Sequence, residues 1–161
     1  MTWIVAPEPF DSADAYALRR SYYDEVASRY WRRAATEQEI DEGLADDGVE
    51  QLSFPTGEFL VGRHGGGPAS CGGVLLLDAT TAELTRVYTR PGKRGTGGGA
   101  LLLAGLEDAA RKLGATRMVL NTRLDLVEAR GLYVRHGYRE IPAYTTGPYM
   151  EIWYGKDLTD L

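Results

Sequence analysis

The stretch that most constrains this 161-residue chain is a glycine-rich loop running without a break into a helix former. Gly92-Lys-Arg-Gly-Thr-Gly-Gly-Gly99 leads into Ala100–Leu113, in which Leu102, Leu106, Ala109 and Leu113 form one apolar stripe and Gly114 is the stop. Ahead of the loop, Glu83–Thr89 reads as a strand ended by Pro91. Strand, glycine loop and helix in that order bring the unpaired N–H groups and positive dipole end of a first helical turn to one point, which is an anion site. Glycines let the backbone approach a ligand closely and take up positive φ, while Arg90, Lys93 and Arg94 add charge at the same place. A phosphorylated ligand is expected there. Glycine is 20 of 161 residues, about 12% against a usual 7% or so, and five of the 20 lie in Gly92–Gly99, so much of the excess belongs to this loop.

Charge is divided along the chain in the same sense. The net value is −5, which argues against a general nucleic-acid binder. From Arg86 to Arg139, however, there are 11 Lys or Arg against four acids, a local +7 inside a remainder of −12. Such a segment suits one compact polyanion, or is simply a solvated helix face. With 43% hydrophobic and 25% charged residues, the composition is that of one globular domain spanning 1–161. A single cysteine excludes an internal disulfide framework and fits a reducing, cytoplasmic setting. No apolar run has the length of a membrane span.

Further elements follow from pattern. Trp3–Val5 reads as a strand, and Asp11 or Ser12 caps a helix to about Trp31. Thr36-Glu-Gln-Glu39 is a capping box opening a helix to about Asp46. Strands are expected at Phe59–Arg63, Cys71–Leu77, Thr116–Asn121, Tyr138–Ile141 and Met150–Tyr154, with a helix over Leu124–His136. The order is β-α-α-β-β-β-α-β-α-β-β, an α/β (α+β) chain.

Three kinds of phosphate loop compete for the glycine segment. A P-loop fails, because Arg94 follows Gly92-Lys93 where Ser or Thr is required. Gly95-Thr-Gly97-Gly-Gly-Ala100 matches a dinucleotide fingerprint literally, but its strand is polar and only 61 residues follow Ala100, too few for a doubly wound sheet. The third form is Arg94-x-x-Gly97-x-Gly99. In it, in the strand-and-proline lead-in Ala82–Pro91, and in Leu132-Tyr-Val-Arg-His-Gly-Tyr138, the sequence resembles the GNAT superfamily of N-acetyltransferases, whose element order is the one read above.

That resemblance implies a mixed, mostly antiparallel sheet flanked by helices, and acetyl-CoA as co-substrate with no metal. It implies that the pantetheine arm lies along the backbone of Val87, Tyr88 and Thr89, and the pyrophosphate on the N–H groups of Arg94, Gly95, Thr96, Gly97, Gly98, Gly99 and Ala100. Tyr133 matches the usual candidate for the acid that meets the CoA thiolate; a core tyrosine is the other reading. A phenol near pKa 10 and a thiol near 8.5 make full proton transfer uphill by about 2 kcal/mol, so hydrogen bonding to the thiolate is the better expectation. Glu83 matches a glutamate that serves some relatives as base, with ordered water or an ion pair to Arg86 as the alternatives. A base is needed because deprotonating an alkylamine at pH 7 costs about 4.6 kcal/mol. Where many relatives place a CoA-contacting asparagine this chain has Leu126, and Asn121 is the substitute.

The acceptor implied is the primary amine of a small molecule or peptide, taken up between the first two helices and the last hairpin. Neither a nucleic-acid nor a membrane partner is expected, and a homodimer is compatible. Eight acids and no base between Glu37 and Glu58 would suit a cationic amine, or form a solvated helix. Two other activities fit the same motifs: an acyl-CoA sensor without turnover, and transfer of a longer acyl group. His64, Cys71 and His136 read as a loop histidine, a buried thiol and a helix-end residue, and their spacing suggests no metal site.

Overall fold

The computed structural model describes residues 2–45 and 47–159. Its elements are β1 (Trp3–Pro7), α1 (Ala13–Trp31), α2 (Glu37–Ala45), β2 (Gly57–His64), β3 (Gly67–Leu76), β4 (Thr81–Thr89), α3 (Gly98–Lys112), β5 (Arg117–Thr122), α4 (Val127–Arg135), β6 (Arg139–Glu140) and β7 (Ile152–Asp157), with single 3₁₀ turns at Val49–Gln51 and Pro91–Lys93. Local signals work as expected at both leading helices. Ser12 caps α1 by accepting from the Ala15 N–H at 3.0 Å. Thr36 and Glu39 exchange side-chain-to-backbone hydrogen bonds at 2.9 and 3.1 Å, a closed capping box. Asp46, the expected end of α2, lies outside the described residues.

The strands form one seven-stranded sheet in the order β1-β2-β3-β4-β5-β7-β6, antiparallel except between β4 and β5. Alternation along β2 sends Phe59 and Val61 to a core with Ala15 and Leu18 of α1, and Leu60 to a core with Leu102, Leu103 and Leu106 of α3. The last elements differ from expectation at their ends. α4 begins only at Val127, because Asp125 turns back to clamp the Arg123 guanidinium with two hydrogen bonds of 2.9 Å. β7 runs on to Asp157, because it pairs with β5 along all of Arg117–Thr122, and β6 is reduced to two residues. No helix among the described residues is long and apolar enough to cross a membrane.

Two irregularities of β4 set up the site. It pairs with β5 only over Thr81–Glu83 against Arg117–Val119. Beyond that point β5 stays with β7, the strands splay, and the β5-facing backbone edge of β4 is left without a strand partner. Within β4, the register against β3 slips by one residue between the Thr85↔Gly73 and Tyr88↔Cys71 pairs, and Arg86 takes φ +55°. This bulge reverses the alternation. Leu84 belongs to the α3 core, whereas Tyr88, four residues on, belongs to the α1 core. A regular strand would put both on one face.

Candidate active site

Three cavities meet on the α1 side of the splay, and Tyr22 of α1 lines all of them. The largest, about 610 Å³, is a cleft between α1, the end of β4, the glycine loop and α4. Val87, Tyr88 and Thr89 form its β4 wall, Arg94, Gly95, Gly97, Gly99 and Ala100 its loop wall, and Leu126, Ala129 and Leu132 its third side. Gly97, at φ +91°, is the N-cap of α3, and Gly95 sits at φ +77°. Both have open space where a side chain would begin, so the backbone turn alone requires glycine there. From Gly95 to Ala100 no N–H donates to a backbone carbonyl among the described residues, leaving six successive amides at a helix start. Such a row of amides is able to hold an oxyanion, and it opens on the same cleft as the unpaired edge of β4.

The remaining loop residues are used differently. A Cβ on Gly98 would fall 2.3 Å from the indole of Trp3, so this glycine answers to packing. The Thr96 hydroxyl donates to the Lys93 carbonyl at 2.6 Å and accepts from the Trp3 indole N–H at 3.0 Å, so it too faces the fold. Arg90, expected to add charge to the anion site, spends its guanidinium on the Pro68 carbonyl and the Ser21 hydroxyl and is absent from the cleft wall. Arg94 lies on the wall, but its guanidinium bridges the cleft to both carboxylate oxygens of Glu25 at 2.7 and 2.8 Å. Lys93, Arg29, Arg135 and His136 complete a predominantly basic rim.

Tyr133 is buried against Tyr138 and Tyr154, with ring centroids 5.8 and 6.3 Å away, and it does not line the cleft, although its neighbour Leu132 does. Burial pushes its phenol well above the ordinary tyrosine range, with the nearby Tyr22 phenol adding to the shift. Tyr22, which does reach the cleft, is raised by burial as well. Nothing local in the sequence singles out Tyr22, because no short-range spacing shows that α1 crosses the splay at that residue.

Glu83 lines a second cavity of about 410 Å³ with Arg19, Tyr22, Tyr23, Asp47, Thr85 and Arg86 among its walls. Its carboxylate accepts from the Tyr144 hydroxyl at 2.6 Å and from the Asn121 side-chain amide at 3.4 Å. The ion pair with Arg86, the alternative for Glu83, is not made: Arg86 turns to Asp47. Asn121 therefore stands with Glu83 and Tyr144 and off the cleft, and the apolar Leu126 lines the cleft instead. Burial, then the bond to Glu83, raises the Tyr144 phenol, so it stays a donor to that carboxylate. A third cavity of about 250 Å³ is walled by Tyr30, Trp31 and Tyr149, among others.

Much of the acidic run is spent on the surface: Arg20 pairs with Glu37 and Asp41, and Arg33 with Glu39. The Cys71 thiol is buried and pushed up to about 12, which makes it a poor nucleophile. Among the described residues no three His, Cys, Asp or Glu side chains cluster closely enough to hold a metal ion.

Comparison with known proteins bears on this geometry. The profile of the Acetyltransferase (GNAT) family matches residues 14–138. An uncharacterized N-acetyltransferase of Schizosaccharomyces pombe is 31% identical over 132 residues, covering 74% of each chain. A Klebsiella pneumoniae protein described as an acyl-CoA N-acyltransferase is 27% identical with a TM-score of 0.74, over 98% of both chains. The PaiA N-acetyltransferase of Thermoplasma acidophilum, solved with coenzyme A, is 16% identical with a TM-score of 0.76, over 98% of this chain and 99% of that one.

Proposed function

Because the chain belongs to the Acetyltransferase (GNAT) family, we propose that it moves an acetyl group from acetyl-CoA directly to the primary amine of a small molecule. The observation that carries this reading is the meeting, in one cleft, of six free loop amides and the unpaired edge of β4. Amides suit a pyrophosphate and a bare strand edge suits the amides of a pantetheine arm. Acetyl-CoA supplies a thioester whose carbonyl carbon the amine attacks through a tetrahedral intermediate. Gly95, Gly97, Gly99 and Ala100 hold the phosphates with Arg94 and Lys93, and Val87, Tyr88 and Thr89 orient the arm. Gly98 and Thr96 contribute main-chain N–H groups only.

In this reading Glu83 takes the proton of the incoming ammonium, directly or through one water, with Asn121 and Tyr144 orienting its carboxylate. Tyr133 stabilises the departing thiolate by donating a hydrogen bond; a phenol pushed upward by burial holds its proton, so it acts without giving it up. Acetyl-CoA titration followed by thiol release across an amine panel tests the reading. Tight binding with no release on any amine would leave a sensor, and faster turnover with longer acyl-CoAs would move the donor. Tyr133→Phe is expected to lower kcat with acetyl-CoA affinity unchanged. If Tyr22→Phe does this instead, the thiolate partner is Tyr22.

A further inference from the structure

Resting on the transferase reading, we infer that the acceptor is an amine that also carries a carboxylate, a free amino acid or close analogue, bound between Glu83 and the Arg19–Arg86 pair in the 410 Å³ cavity. Two guanidinium groups line this cavity and share one carboxylate among the described residues. Asp47 Oδ2 lies 3.7 Å from Arg19 and 3.5 Å from Arg86, neither at good hydrogen-bond length. Arg19 is only 5% exposed, yet the one hydrogen bond of its guanidinium among the described residues runs from Nε to the Phe10 carbonyl, at 3.0 Å. Its Nη1 has only the Asp47 carboxylate, at 3.7 Å, and neither terminal nitrogen makes a hydrogen bond among the described residues. A buried guanidinium with spare donors is costly unless an anion completes it, and the planar fork of arginine fits a carboxylate.

The bulge of β4 is what assembles the pair. In an unbroken strand Glu83 and Thr85 would face α1 and residue 86 would face α3. With the extra residue at Arg86, Glu83, Thr85 and Arg86 all line the one cavity. Acid and base are thus segregated along about 10 Å of strand, with Glu83 at the end held by Asn121 and Tyr144, and Arg86 at the end packed by Arg19 and Asp47. A zwitterion matches this polarity: its ammonium goes to Glu83 and its carboxylate to the guanidiniums. A polycation does not, because it would set a positive charge against the buried Arg19 and the half-buried Arg86.

The test is thiol release from acetyl-CoA with free L-amino acids, each paired with its carboxamide and with the amine left by decarboxylation. The acid forms are expected to exceed both partners by about 10- to 100-fold in kcat/KM. Arg86→Gln is expected to bring the acid-to-amide ratio close to one with acetyl-CoA affinity unchanged, and Arg86→Lys to restore part of it. If the Gln variant does not fold, the ratio in the natural protein decides. Amides or decarboxylated amines that react as well as the acids overturn this inference and leave the transferase reading standing. Silence on every amine, with acetyl-CoA bound, overturns both.

Discussion

Replacing Gly98 by alanine is expected to destabilise the fold sharply, although the residue sits inside the loop proposed to hold the pyrophosphate. The new Cβ would stand 2.3, 2.4 and 2.7 Å from three atoms of the Trp3 indole, where ordinary contact begins at 3.4 Å. The ring has little room to withdraw. It stacks on His64 with centroids 4.8 Å apart, lies against Gly62, where a Cβ would be 3.3 Å from it, and donates its N–H to Thr96 at 3.0 Å. Overpacking costs about 1–3 kcal/mol and the lost hydrogen bond about 1, so the total is about 2–4 kcal/mol. For a chain of this size that corresponds to a fall in Tm of roughly 5–15 °C. Thermal unfolding by circular dichroism reads it directly. Gly97→Ala is the control: nothing lies within 4 Å, so only the strain of φ +91° is added, about 1–2 kcal/mol. Trp3→Leu placed in the Gly98→Ala background should cost less than it does alone. A Gly98→Ala protein melting within 1 °C of the parent would refute the packing argument.

Other outcomes follow from the site. Glu83→Gln should lower kcat/KM about 100-fold with acetyl-CoA affinity within twofold of the parent, as isothermal titration and thiol release will show; an undiminished rate would give the base role to water. Glu25→Gln frees Arg94 and removes a negative charge from the cleft, so acetyl-CoA should bind about 3- to 10-fold more tightly at low salt, the gain fading as salt rises. Cys71 should stay unreacted with a thiol reagent at pH 8 and appear as one thiol on unfolding. Since its folded value of about 12 exceeds the unfolded 9.0, stability from this group is complete below pH 9 and is lost as pH rises towards 12, a trend denaturant midpoints at pH 8 and 10 will register.

The loop and its helix were legible because their cause is local. Glycines 95 and 97 must take positive φ, Gly97 ends the chain's approach to α3, and the amides behind it are free by helical geometry alone. The capping box at Thr36 and Glu39 and the Ser12 cap belong to the same class, since every partner lies within three residues. Arg94 was legible as a loop charge, but its bridge to Glu25 joins residues 69 positions apart, which no local spacing encodes.

Residues alone determined the element order and the free amides of the glycine loop, because each rests on periodicity or on a motif contiguous in the chain, while the cofactor class came as an expectation from the resemblance to the GNAT family. Tertiary structure decided that Gly98 packs on Trp3, that Tyr22 stands where three cavities meet, and that Glu83 answers to Tyr144 and Asn121 while Arg86 answers to Asp47. The reason is the same in each case. A one-residue bulge in β4 and the splay of β4 from β5 set which side chains share a cavity, and both are fixed by pairing with distant strands.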